Sequence, residues 1–290
     1  MNLRDRYWEI TVGTRQIASA TTTPGKRPLS AAFEVSKSLG REPNRASLKI
    51  ANLSRSTRES LEQLEEPEIQ IRAGYQEQGL QDTIFVGDTQ DIYSAREGPD
   101  IWTMFESEDG GSSYRSARLA MTFEPGALVR TVIQTIAGAM GVGIGNTAAV
   151  ASSATLENGS AVFARGLAIE GPAWRSLDTV CRSASLRWSV QNGVLQLRQQ
   201  NAPAEISATL LSPSTGLVGS PARGTRDPRT GEVSVTAQAL IIPGFFPGSV
   251  VVLDSTTVQG SWMVHTVRYT GSTTANDWYA ELTLKEYDAA

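Results

Sequence analysis

Apolar and polar residues alternate along much of the first hundred positions, the period of strands with one buried face. Tyr7 to Val12 alternates over a short stretch, and Thr21 to Pro28 follows as a turn-rich link punctuated by Pro24, Gly25 and Pro28. AAFEVSKSL and ASLKIANL then alternate on either side of the Arg41 to Arg45 turn, which predicts a hairpin. Ser54 or Ser56 can cap a short helix through RESLEQLEE, with Leu61 and Leu64 as its apolar edge and Pro67 as its end. The strands between Ile69 and Glu108 complete a β module wrapped around one helix.

After residue 110 the period changes. In ALVRTVIQTIAGAMG, Leu128, Val129, Val132, Ile133, Ile136 and Met140 recur at helical spacing between Gly126 and Gly141. The Gly/Ala/Ser-rich run from Gly141 to Ala168 reads as a loop with one strand. GPAWRSLDTVCRSASL is a second helix with Trp174, Leu177, Val180 and Cys181 on one face, and Pro172 sits where a first-turn proline is tolerated. LRWSVQNGVLQLRQQ carries Asn192-Gly193 between two alternating strands, a hairpin signal. From Ile206 the pattern is β again, with Pro243, Gly244, Pro247 and Gly248 bending the chain around Phe245 and Phe246, and Arg223 to Arg229 as an exposed loop tip. The expected organisation is a β domain over 1–110, an α+β domain over 111–204 (helices near 127–140 and 172–185, hairpin 186–199) and a second β domain over 205–290.

The two β stretches resemble each other. Ile69 to Asp109 runs as a strand, a short link, the strand TIFVGDTQDIYS, a turn, and DIWTMFESED; Val250 to Asp288 runs as VVVLDS, a link, SWMVHTVRYTGS, a turn, and DWYAELTLKEYD. This order predicts a module used twice, with Trp102 and Trp278 in equivalent places, and a module used twice points to assembly before catalysis.

Composition narrows the function. The chain has 290 residues, 40% of them apolar and 19% charged, with no apolar run long enough to span a bilayer. The charged start MNLRDRYWEI lacks the apolar core of a secretory signal, so the expectation is a protein kept in the cytoplasm or carried out inside something else. A single cysteine, Cys181, excludes an internal disulfide and a cysteine-based zinc site, and reads as a small buried apolar residue. A net charge of −4 argues against a protein whose task is to grip phosphate backbones.

Candidate chemistry is sparse. His265, the one histidine, lies in a strand, where a structural hydrogen bond is the commoner role, and no G-x-S-x-G elbow accompanies it. Gly141, Gly143 and Gly145 follow a helix instead of opening one, unlike a phosphate loop. Asp88, Asp91 and Asp109, or Asp227 with Glu232, lack calcium-loop spacing. Glu106, Glu108 and Asp109 are the candidates for an acid pair acting on cell-wall sugars; alternation puts Glu106 and Glu108 on one face, and a charged strand end explains them equally well and is far commoner. Asn52-Leu53-Ser54 and Asn158-Gly159-Ser160 match the glycosylation pattern, which has meaning only on secretion. The six tryptophans, Trp8, Trp102, Trp174, Trp188, Trp262 and Trp278, read as core residues in preference to a sugar-binding platform. No catalytic, cofactor or metal residue is assigned, and the expectation is a protein that is not an enzyme.

The opening module (AFEVSKS, SLKIANLSRSTRESL, IQIRAGY, IFVGDTQDI) resembles the first domain of bacteriophage tail baseplate hub proteins of contractile tails. TGLVGSP, ALIIPGFFPGSVVVLDS and WMVHTVRYTGS are similar to the last domain of that family. The resemblance implies a mainly β fold with a smaller α+β part: two tail-tube-like β-barrel or sandwich domains flanking the middle domain. It implies a homotrimer closing a pseudo-sixfold ring, the tail tube protein above, the spike protein below, and contacts with tape measure and other baseplate proteins. DNA would pass through the ring without specific binding, the protein would not insert stably into membrane, and it would reside in the virion baseplate after assembly in the host cytoplasm. A tailocin or secretion-type injector would use the same hub without a genome. The alternatives are a tail-tip peptidoglycan-degrading enzyme and a carbohydrate-binding tail-tip module.

Overall fold

A computed structural model describes residues 5–20, 28–76, 79, 81–145, 162–204, 208–226 and 231–287. The Thr21 to Pro28 link except its last residue, most of the 141–168 run, Asn158 and Asp227 lie outside the described residues.

Alternation builds the strands of the first hundred residues as expected, apart from the short second one, Arg15–Ser19, which the pattern does not predict. The strands are β1 (Arg6–Val12), β2 (Arg15–Ser19), β3 (Ala31–Ser38), β4 (Arg45–Ala51), β5 (Glu68–Tyr75), β6 (Gln81–Glu97) and β7 (Asp100–Glu108). Between β4 and β5 lies α1 (Arg55–Glu62), where the Ser54 hydroxyl accepts the Thr57 amide at 3.1 Å and so satisfies an otherwise orphaned first-turn donor. This helix stops at Glu62, before Pro67 is reached, so Leu61 is buried while Leu64 lies past the end and is exposed.

The middle residues carry α2 (Gly111–Ser116), β8 (Arg118–Phe123), β9 (Ala127–Leu128), α3 (Val129–Ala139), β10 (Gly143–Ile144), β11 (Val162–Phe163), β12 (Leu167–Pro172), α4 (Ala173–Ser183), β13 (Leu186–Gln191) and β14 (Val194–Gln199). Val132, Ile136 and Ala137 of α3 pack with Leu177, Val180 and Cys181 of α4 and with Trp188, Leu195 and Leu197 of the hairpin, a core of their own. Asn192 and Gly193 turn that hairpin with φ of 55° and 74°, the left-handed pair a type I′ turn needs.

The last part comprises β15 (Ala208–Leu211), β16 (Leu217–Arg223), β17 (Ser234–Leu240), β18 (Val250–Asp254), β19 (Gln259–Ser272) and β20 (Trp278–Lys285). It does not form a sheet of its own. One 13-stranded sheet runs β16-β17-β20-β19-β3-β4-β7-β6-β5-β1-β2, with β18 on β19 and β15 on β18. The join is antiparallel pairing of β19 with β3, from Thr266 opposite Ser38 to Ser272 opposite Ala32. Phe33, Val35, Leu48 and Phe105 of the first part and Val267, Tyr269, Leu282 and Leu284 of the last share one continuous hydrophobic core. The fold is thus mainly β with a smaller α+β part. Among the described residues, no helix is long and apolar enough to cross a membrane.

Candidate functional site: a repeated sheet, its open edges and a buried junction

The repeat seen in the sequence is a repeat of topology. A hairpin followed by a three-strand meander gives the order β3-β4-β7-β6-β5 in the first half and β16-β17-β20-β19-β18 in the second. Register agrees as well as order. Glu108 faces Arg45 on one side and Asp88 on the other, and Lys285 faces Ser234 and Met263 in the same way. Near those ends, each long middle strand bulges: β6 skips Gln90 and β19 skips His265. A bulge leaves one residue unpaired and sharpens the local twist, so the two halves bend at the same place.

Trp102 and Trp278 are not equivalent. Counted from the bulges, Trp278 opposite Gly271 aligns with Ile101, one position from Trp102 opposite Ala95. Because side chains alternate across a strand, one position moves a residue to the other face. Trp278 is buried edge-on against Phe33 at 5.5 Å, whereas Trp102 is half-buried under the Lys49 ammonium at 4.8 Å from its ring. Trp8, Trp188 and Trp262 are buried, and Trp174 is half-buried, stacked on Tyr114 at 5.6 Å. No exposed tryptophan platform forms.

The face opposite the core is polar. Glu34, Lys49, Glu106, Arg268 and Glu281 project from it at alternating positions. Its cations are engaged: Arg268 reaches Glu34 at 2.7 Å and Glu281 at 3.9 Å, and Lys49 covers Trp102. A shallow concavity of about 680 Å³ opens on this face between Val218, Thr236, Gln238, Arg268 and Glu281.

Two strand edges of the eight-strand path from β16 to β6 are open. Residues 91–97 of β6 extend beyond β5, which pairs only as far as Asp88, and among the described residues they pair with β7 alone. At the other end, among the described residues, β16 pairs only with β17. Each edge carries a large exposed apolar side chain, Tyr93 at 41% and Val218 at 36% exposure. Unpaired edges are templates for another strand.

A buried polar junction ties the β sheet to the middle hairpin. The Asp109 carboxylate accepts from the amides of Asn192 and Gly193, both at 2.6 Å, and from Asn44 Nδ2 at 3.1 Å. Lys37 Nζ donates to Asn192 Oδ1 at 2.6 Å and to the Ile84 carbonyl at 3.3 Å. Burial pushes the Lys37 ammonium down to about 8 against the pull of Asp109, and burial raises Asp109 against the pull of Lys37. Desolvation outweighs attraction in both. Alternation and turn signals do not reveal this cluster, since Asp109 and Asn192 are 83 positions apart.

The remaining candidates are not brought together. Glu108 is held by Arg45 at 3.3 Å and Arg115 at 2.9 Å, and Glu106 accepts from Ser47, so both sit in structural contacts. Asp88 and Asp91 are strand residues of β6, and Glu232 binds Lys285 at 2.9 Å. No three His, Cys, Asp or Glu side chains among the described residues converge as metal ligands would. His265 sits at the β19 bulge, where burial first, then Lys285 and Arg198, push its imidazole below the ordinary histidine value. Cys181 is buried and its thiol is pushed up by burial. Gly141 closes α3 with φ of 67°, and at Gly145 any Cβ would strike Val194, which explains one glycine by backbone conformation and the other by packing. Asn52 bonds Asp100 at 2.7 Å.

No protein-family model matches the chain, and no curated protein matches it by sequence. Solved structures do. A tail protein of Neisseria meningitidis superposes with TM-score 0.64 at 10% identity, covering 97% of each chain. The 43 kDa tail protein of prophage MuSo2 from Shewanella oneidensis gives 0.63 at 7% identity, again over 97% of each. An Escherichia coli component of the type VI secretion system, itself described as similar to tail proteins of bacteriophage T4, gives 0.59 at 8% identity over 97% of this chain and 77% of that one. The chain therefore shares its fold with these phage-type tail proteins and with the type VI secretion component.

Proposed function

We propose that this chain is the structural hub of a phage or phage-like tail. Three copies close a pseudo-sixfold ring that joins the tail tube to the central spike in the baseplate and encloses a channel. The observation that carries this reading is the doubled hairpin-and-meander unit: two like modules are fused edge to edge within the chain, and the fused path ends in an open strand edge at each side. Two modules per chain and three chains give six modules, which would match a hexameric tube, and closure removes the open edges. The polar face suits a channel wall, since Arg268, Lys49, Arg45 and Lys285 on it are engaged by Glu34 and Glu281, by Trp102, by Glu108 and by Glu232, and so offer little grip to passing phosphates. No catalytic step is assigned.

Light scattering coupled to size-exclusion chromatography of the full chain, across a range of concentrations, tests the ring. The expected mass is three times 31.1 kDa. A monomer at every concentration, with and without the tube and spike proteins, overturns it.

A further inference from the structure

The open edges define more than a tendency to associate, because the chain already contains one instance of the contact. Inside the chain, β19 presents Thr266–Ser272 to β3. In the repeat, β19 corresponds to β6 and β3 corresponds to β16. The counterpart of this internal join is therefore β6 against β16, and within one chain those strands lie at opposite ends of the eight-strand path.

We propose that neighbouring copies join by antiparallel pairing of β6 residues 91–97 with β16 and the residues after it, up to 226, of the next copy. This rests on the ring reading and adds its contact surface and register. The bulges fix the register on one side: Asp91 stands where Thr266 stands, and Ala95 where Thr270 stands. The hairpins fix it on the other. Ala222 opposite Thr236 takes the place of Glu34 opposite Ser47, and Leu217 opposite Ala239 takes the place of Ala31 opposite Ile50. Since Thr270 faces Glu34 in the internal join, Ala95 faces Ala222 between copies. Tyr93 then faces Gly224, Ser94 faces Arg223, and Glu97 faces Val218.

The side chains on the two edges agree with this register. Tyr93 meets a glycine, which leaves its ring room to lie across the partner strand and shed its exposure. Carried on, the register sets Asp91 opposite Arg226, a pair of opposite charge. The internal join is held differently, by the Arg268–Glu34 ion pair and by Phe33 over Gly271, whose place between copies is taken by the β16 bulge at residues 219–221. Because the two joins differ in chemistry, an edge of one kind does not substitute for the other.

The test is a disulfide between copies. Directly opposed antiparallel residues have Cα atoms roughly 4.5–5.5 Å apart, within the span of roughly 4.4–6.8 Å that a disulfide bridges. The double variant Ala95→Cys with Ala222→Cys makes small changes at two partly or fully exposed positions, and the native Cys181 is buried. Oxidation is expected to give a covalent trimer on non-reducing gels, with the link from position 95 to position 222 found between copies by mass spectrometry of a mixed isotope-labelled sample. The shifted pair Ala95→Cys with Val218→Cys is expected to give at least about tenfold less, because its Cα atoms fall outside that span. Each double variant is first shown to keep the wild-type melting profile. A trimer by light scattering without the 95–222 link, or with the shifted pair linking as well, overturns this join and leaves the ring standing. A monomer that never links, with and without the tube and spike proteins, overturns both. A link confined to single chains, at monomer mass, also overturns the join.

Discussion

Lys37 occupies a core-facing position of β3, where the alternation calls for an apolar side chain, and it is tolerated only because Asn192, Ile84 and Asp109 surround its ammonium. A lysine whose folded value lies near 8, against an ordinary 10.5, loses its proton more readily folded than unfolded. Below about pH 8 the fold carries the full cost of a buried charge, and between about 8 and 10.5 that cost is relieved. Wild-type stability measured by urea unfolding is therefore expected to rise relative to Lys37→Met across that window, by up to about 3 kcal/mol. A flat difference between the two proteins would show that the ammonium is better solvated than its surroundings indicate. The alternating pattern of AAFEVSKSL places Lys37 on the right strand and the right face. What it cannot convey is the partner, because the compensating Asn192 comes from a turn 155 positions away.

At the scale of elements, the longer alternating strands, α1, α3, α4 and the Asn192-Gly193 hairpin are legible in the sequence, because each is dictated by local period, a cap or a turn dipeptide. The short α2, the edge strand β2 and the parallel pairing of β15 with β18 carry little local signal and arise from packing. The repeat is legible in its order, while the tryptophans mislead: Asp-x-Trp and Asp-Trp differ by one residue, and one residue in a strand exchanges faces. The decisive marker is the bulge, which alternation alone does not show. Nor does the sequence reveal that β19 and β3 pair across 234 positions, the separation of Arg268 from Glu34. That join needs Gly271, since any Cβ there would overlap the Phe33 ring. Gly271→Val is expected to cost about 1–3 kcal/mol in chemical denaturation, through strain at the join. A fully neutral effect would mean that Phe33 has another rotamer to occupy.

At the scale of the molecule, the polar face has a predicted consequence in a particle that carries a genome. Reversing Glu106 to lysine adds a cation from each chain to the channel wall of the proposed ring, away from the Arg268–Glu34 pair that holds the internal join, and is expected to slow DNA delivery at least about threefold while leaving particle numbers by electron microscopy unchanged. Normal ejection from such particles would dismiss the channel-wall assignment. The β19–β3 join bears on how such a ring would come together. Six separate modules would have to surrender translational and rotational freedom at five successive encounters; modules tethered in pairs need only two. Half of the joins would then form during folding of single chains, at an effective concentration that dilution cannot lower. A hub built this way could appear complete at protein levels where a ring of six loose pieces would still be in fragments.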